Sequence, residues 1–177
     1  MDAEYRLFKM AERYLCGSMV QRMFHSIDDF LKTAATILNR RKARAGWALE
    51  HHVERLLSDA KIPFEMRPDI DGKPDVIIPS RDAYLASDYP ESKLIVLGIK
   101  RTCKDRWRQV LNEAKRVTRK HLLTIQPGIS SSQITEVEQA QLTLIVPRKL
   151  HRMYPGSEQS KLLEVEKFVC SVQSILA

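Results

Sequence analysis

Three residues carry the clearest chemistry in this chain: Asp75, Lys100 and Glu113. Pro74-Asp75 opens the apolar run Val76-Ile77-Ile78, and Lys100 closes the apolar, β-branched run from Leu94 to Ile99. Hydrolysis of a phosphodiester needs a divalent cation held by hard oxygen ligands, with a cationic group beside the attacking water or the phosphate. Two carboxylates and a lysine on neighbouring strands meet that need. Two residues before the lysine, where a second acid would sit, the chain has Gly98. A helix following the strand, with Trp107, Val110, Leu111 and Ala114 as its buried stripe, is expected to carry Glu113 back over the sheet end, with Gly98 leaving the space open. The bland alternative makes Asp75 a turn cap, Lys100 a strand-end charge and Glu113 a surface acid.

The elements that must position these residues can be read from hydrophobic period and breakers. Residues 1–24 have near-helical apolar spacing. Ser26-Ile27-Asp28-Asp29 starts a second helix, expected to close at Asn39. Residues 40–46 read as a basic connector, and a third helix follows over residues 47–60. Residues 62–67 and 73–79 read as strands of a hairpin around the Asp71-Gly72 turn. Residues 80–93 form a polar loop. Strands are expected over 94–99, 121–125 and 142–146, and helices over 130–140 and 160–175. Strand and helix alternate after the hairpin, which implies an α/β fold: a central mixed β-sheet flanked by helices on both faces. Residues 1–39 are expected to form an N-terminal helical segment packed on a core domain of residues 40–177.

The chain has 177 residues, a net charge of +7 and three cysteines, Cys16, Cys103 and Cys170, at no metal-binding or disulfide spacing. Excess positive charge favours a polyanionic partner. No run is long enough to span a bilayer, and the N-terminus has no secretory pattern. A cytoplasmic setting is expected.

The outline of Asp75 and Lys100 is that of the PD-(D/E)xK nucleases. The run from Ile99 to Ala114, IKRTCKDRWRQVLNEA, resembles the signature of the EcoRII-type restriction endonuclease catalytic domain. Matching pieces are Arg41-Lys42-Ala43-Arg44-Ala45-Gly46 before Leu49-Glu50, then Pro74-Asp75, Pro79-Ser80, Tyr84 and His121-Leu122-Leu123-Thr124. They fall in order between about residues 38 and 155. The resemblance implies a restriction-endonuclease-like fold and the displaced-glutamate form of the motif. Asp75 and Glu113 would bind Mg²⁺, with the Ile99 carbonyl as a further ligand, and Lys100 would position or activate the water. Tyr84 and Glu50 join the candidate catalytic residues.

The same resemblance implies that Lys104-Asp105-Arg106 reads a CC·GG edge in the major groove. Arg and Lys donate to guanine O6 and N7, and Asp accepts from cytosine N4. Arg108, Arg41, Lys42 and Arg44 are further candidate DNA contacts, the basic cluster gripping the backbone. The implied function is a type II restriction endonuclease. It would make Mg²⁺-dependent double-strand cuts at CCWGG or a relative, as a homodimer on double-stranded DNA, with a possible cognate methyltransferase. Arg101 departs from the small residue expected there. About 40 residues precede the matching region, too few for an effector domain. The alternatives are a structure-selective repair or resolvase-type nuclease of the same fold, and an inactive DNA-binding relative.

Overall fold

The computed structural model describes residues 2–104 and 106–177, with the backbone alone at residue 2. The chain divides into two compact units, Met1–Ala48 and Leu49–Ala177. The expected boundary at residue 39 thus falls inside the first unit.

In the first unit, helix α1 (Asp2–Gln21) runs through Gly17 without a break. Helix α2 (Ile27–Asp59) follows and crosses the division between the units. The Ser26 hydroxyl caps α2 by accepting from the Asp29 N–H at 3.1 Å, with Asp28 and Asp29 in the first turn, as the sequence predicts. The predicted connector at residues 40–46 is helical instead. Arg, Lys and Ala are strong helix formers, and one glycine at position 46 costs only about 1 kcal/mol. Within this unit Arg41 pairs with Glu12 at 2.9 Å, and Phe24 meets Phe30 edge-on at 5.3 Å.

The second unit is built on one sheet in the order β1-β2-β3-β4-β5. The strands are β1 (Glu65–Met66), β2 (Val76–Ile78), β3 (Ile95–Lys100), β4 (Lys120–Thr124) and β5 (Leu142–Ile145). The first three pair antiparallel and the last three parallel, so the sheet is mixed. The connections carry α3 (Arg81–Leu85), α4 (Trp107–Leu111), α5 (Ser131–Gln139) and α6 (Arg148–His151), and the chain ends in α7 (Val165–Leu176). Residues 156–161 form a 3-10 turn rather than the start of the last helix.

Strand alternation sorts the core into two faces. Ile95, Leu97 and Ile99 of β3 pack with Leu123, Ile145, the Leu49, Val53 and Leu57 stripe of α2, and Phe168 and Val172 of α7. Val96 lies on the other side with Ile77, Tyr84, Ala114 and Val117. Also on a core of their own are Trp107, Val110, Leu122, Ile134, Val137 and Leu144. The middle strands are therefore covered on both faces, and their uniform apolarity in sequence follows from that. Among the described residues, no helix is long and apolar enough to cross a membrane.

Candidate active site

The site begins where the β2–β3 ladder stops. Its last registered pair next to the Asp75 end is Val76↔Leu97. Beyond it the Asp75 carboxylate serves as an acceptor for the neighbouring strand. Its Oδ2 accepts from the Ile99 N–H at 2.6 Å and from Lys100 Nζ at 2.6 Å. The side chains of Lys100 and Asp75 are only 12% and 17% exposed. A pair this shielded loses much of its hydration, and the added backbone hydrogen bond helps to offset that loss. Pro74 and the buried run of β2 fix the acid, and the run Ile95–Ile99 fixes the lysine.

Glu113 joins them from a turn, not from a helix. Helix α4 ends at Leu111, and the Glu113 N–H donates back to the Val110 carbonyl at 3.2 Å. The residue is 6% exposed, and its Oε2 is buried without a hydrogen-bond partner among the described residues. Burial pushes its carboxyl up to about 7; the Lys100 charge pulls it down, Asp75 pushes it up, and Lys120 pulls it down. These influences place Glu113 within the electrostatic reach of the Asp75–Lys100 pair.

Gly98 also has a different role from the one expected. A Cβ there would meet Val110 Cγ2 at 2.7 Å, so the space above it is filled by α4. The position cannot hold an acid unless the Val110 side chain or the helix that carries it shifts. The second carboxylate arrives from the following turn instead.

A buried carboxylate oxygen with no partner marks a place where a polar or charged group is missing. Two carboxylates, with the Ile99 carbonyl at the same strand end, make a hard-oxygen set suited to Mg²⁺, an ion that commonly keeps several waters. Among the described residues, no group of three His, Cys, Asp or Glu stands ready to hold an ion. The fit therefore rests on the paired acids and the orphaned oxygen of Glu113.

The other candidates make bonds to residues other than this pair. The Tyr84 hydroxyl donates to Asp71 Oδ1 at 2.6 Å and accepts from the Arg116 N–H at 3.3 Å. The Glu50 carboxylate is engaged by Arg67. Arg101 is exposed, and its carbonyl accepts from the Thr124 hydroxyl at 3.4 Å. Lys104 and Arg106 are exposed at the surface, while Asp105 lies outside the described residues. Arg108 is bound to Glu136 at 2.7 Å and lies over the Trp107 ring at 4.6 Å. In the first unit Lys42 is exposed, Arg41 pairs with Glu12, and Arg44 lies over the Phe8 ring at 5.3 Å.

Sequence reasoning passes over several residues around the site. Asp71 reads as a turn former, yet its carboxylate is committed to two bonds, from Tyr84 and from the Lys115 N–H at 2.7 Å. Burial opposes ionisation of Asp71, but these bonds hold its carboxyl below the ordinary range. Lys120 is 5% exposed and donates to the Leu111 carbonyl at 2.7 Å. Gln126 is buried, and its Oε1 accepts from the Cys103 N–H at 2.7 Å, tying the Lys104 segment to the end of β4. A lysine and a glutamine bracketing an apolar strand were the available signals.

Comparison with known proteins bears on the family and the fold. Residues 8–169 match the family model described as EcoRII C terminal. The chain is 36% identical over 177 residues to the type II restriction enzyme EcoRII of Escherichia coli, covering 98% of this chain and 44% of that protein. It thus spans less than half the length of that relative. Among solved structures, metal-depleted Ecl18kI in complex with uncleaved DNA superposes with a TM-score of 0.79 at 19% identity, over 97% of this chain and 65% of that one. The restriction endonuclease PspGI in a substrate DNA complex gives 0.73 at 17% identity, over 97% and 75%. At those identities the structures bear on the fold, and the fold is that of a restriction endonuclease. With the family model spanning nearly its whole length, the chain belongs to the EcoRII C-terminal family, an EcoRII-type restriction endonuclease domain.

Proposed function

We propose that the protein is a type II restriction endonuclease making Mg²⁺-dependent double-strand cuts in DNA at a short CC/GG-containing site, CCWGG or a relative. The observation that carries this reading is the Lys100–Asp75 pair at the end of β3, beside a buried Glu113 whose Oε2 has no partner. Asp75 and Glu113, with the Ile99 carbonyl, would hold Mg²⁺. The ion would supply Lewis-acid stabilisation of the phosphate and a more acidic water. Lys100 places a positive charge where the attacking water and the phosphate oxygens meet, and Asp75 fixes the ammonium in that place. Metal dependence is further supported by Ecl18kI, whose metal-depleted form is found in complex with uncleaved DNA.

The exposed Lys104 and Arg106, with Asp105 between them in sequence, are proposed to read base edges, and Lys42 to meet the DNA backbone. Arg108 and Arg41 are ion-paired within the protein and would have to exchange those partners to reach DNA, whereas Arg44 lies over the Phe8 ring with no hydrogen-bond partner among the described residues. Tyr84 and Glu50 are retained as part of the catalytic neighbourhood, Tyr84 acting through Asp71 and Glu50 through its pair with Arg67. Two antiparallel strands need two sites, so the active form is proposed to be a homodimer. A cognate methyltransferase acting on the same site would protect the host DNA.

The test is cleavage of mapped DNA containing CCWGG with Mg²⁺, followed by sequencing of the ends, against Lys100→Ala and Glu113→Ala. The expected result is cutting at one short site by the parent and none by either variant. Folded parent protein that cuts no DNA with any divalent metal overturns the reading. Cutting directed by branched or damaged structure, without a sequence preference, would favour the repair-type alternative.

A further inference from the structure

The turn that carries Glu113 is held by the Asp71–Gly72 turn earlier in the chain, and its side of the contact is made by backbone N–H groups. The Ala114 N–H donates to the Asp71 carbonyl at 2.8 Å, the Lys115 N–H to Asp71 Oδ2 at 2.7 Å, and the Arg116 N–H to the Tyr84 hydroxyl at 3.3 Å. That hydroxyl in turn donates to Asp71 Oδ1 at 2.6 Å. Three consecutive N–H groups just past Glu113 are therefore taken by Asp71 and its tyrosine. Gly72 closes the contact from the other side. It sits at φ +74°, and a Cβ on it would meet the Asn112 carbonyl oxygen and Glu113 Cα, both at 2.5 Å. The backbone of Gly72 thus lies directly against the backbone of the acid. Arg116 continues the clamp by donating to the carbonyls of Tyr84, Ala86 and Tyr89.

Glu113 needs such help. Its Oε2 makes no hydrogen bond, and Ala114 beside it has φ +43°, a conformation that a non-glycine residue rarely adopts unaided. Nothing in its own side chain fixes the acid where it lies. We propose that the Asp71–Gly72 turn, locked by Tyr84, is the positioning element that sets the Glu113 carboxylate at the metal-binding edge of the sheet, so that metal affinity depends on residues that touch neither metal nor DNA. The inference rests on the reading of Asp75 and Glu113 as metal ligands. It assigns Tyr84 a positioning role through Asp71, not contact with the phosphate.

The experiment compares the parent with Asp71→Asn, Tyr84→Phe and Gly72→Ala. Mn²⁺ binding to each protein on a CCWGG duplex is read by electron paramagnetic resonance from the loss of free-ion signal. Cleavage is measured in parallel as a function of Mg²⁺ and of DNA, with folding checked by circular dichroism. Tyr84→Phe keeps the ring and loses one oxygen, so it guards against misfolding of Gly72→Ala. The expected result is about tenfold weaker Mn²⁺ binding, the low end of what disturbing outer-shell partners of a metal site costs. The half-saturating Mg²⁺ should rise in proportion, with KM for DNA unchanged and kcat largely restored at saturating metal. Folded Asp71→Asn and Tyr84→Phe with parental Mn²⁺ affinity would overturn the inference while leaving the nuclease reading intact. A kcat for Tyr84→Phe that stays depressed at saturating metal, with parental Mn²⁺ affinity, overturns it in favour of direct catalysis by the tyrosine. Parent protein that binds no Mn²⁺ overturns the reading of the site, and the inference with it.

Discussion

At the scale of single residues, the site trades stability for chemistry. Glu113 is buried with an unpartnered oxygen, and burial raises its carboxyl to about 7 from an ordinary 4.5. Its folded-state pKa lies above its unfolded value, so the folded state binds the extra proton between these two values. Stability then falls as pH rises through that window, and the ionised acid costs the metal-free protein on the order of 3 kcal/mol above it. Glu113→Gln keeps the shape and removes the charge. It is expected to abolish cleavage, yet to raise the metal-free melting temperature at pH 8 and to leave it nearly unchanged at pH 4. Thermal denaturation at both pH values, without divalent metal, checks this; a variant less stable than the parent at pH 8 would show that Glu113 has a partner when ionised. Lys104, Arg106 and Lys42 make a second residue-scale contrast. Arg106→Ala should relax the preference at one G·C pair by roughly 1–3 kcal/mol, read as the ratio of cleavage on matched and mismatched sites. Lys42→Ala should instead weaken binding to all sequences alike and reduce the salt slope by about one ion.

Elements show why Gly98 and Val110 belong together. Gly98 lets α4 lie close on β3, and the Cβ of an alanine would meet Val110 Cγ2 at 2.7 Å. Gly98→Ala should therefore cost on the order of 1–3 kcal/mol through overpacking. Adding Val110→Ala should recover part of it, and a chemical-denaturation double-mutant cycle would report the coupling. Additive losses would mean that the helix moves freely instead. The β4 strand offers an independent test. The His121 ring lies 5.3 Å from Phe168 and is lowered to about 4 by burial, then by the Arg119 charge, against the pull of the Val96 backbone. Since its folded pKa lies below the unfolded 6.5, the unfolded chain takes up the proton first. Its contribution is complete above about pH 6.5 and is lost as pH falls toward 4, on the order of 3 kcal/mol in all. His121→Leu should remove that part of the acid sensitivity, seen as a flatter melting temperature between pH 6.5 and 4.

The same elements show what a sequence can and cannot display. The apolar runs around Val76–Ile78, Ile95–Ile99 and Leu142–Ile145 announce strands, and with them the strand ends that carry Asp75 and Lys100. Ser26 and Ser130 mark their helices by bonds that the structure contains. By contrast, residues 40–46 look like a connector because their charge hides good helix formers, one of which finds Glu12 as its partner. Periodicity also continues α4 to Ala114, where Asp71 captures the backbone and turns the chain. That capture comes from residues distant in sequence, so no local pattern reports it. Glu113 reads from the sequence as a candidate second acid, while its burial, its turn and its unpartnered oxygen leave no trace there.

At the scale of the whole molecule, the proposed double-strand cut raises the question of how many chains it takes. Asp75, Lys100 and Glu113 lie in one unit, and as the proposed catalytic set they would address one scissile phosphate. The strands of a duplex run antiparallel, so a second set must be related to the first by a two-fold axis, which a homodimer supplies. Each chain has a mass of 20.4 kDa and a net charge of +7, so a pair brings about twice that charge to the duplex. Light scattering should report a mass near two chains, either alone or on a CCWGG duplex. The products of a supercoiled plasmid then discriminate the assemblies. A dimer with two working sites should convert it to the linear form with little nicked intermediate. Mixed with an excess of Glu113→Gln protein, the parent should accumulate nicked circles, because most remaining active sites then sit in heterodimers that cut one strand. If the mixture instead yields linear DNA at a rate set only by the parent concentration, with a mass of one chain on DNA, each monomer cuts both strands in turn and the two-fold arrangement is wrong.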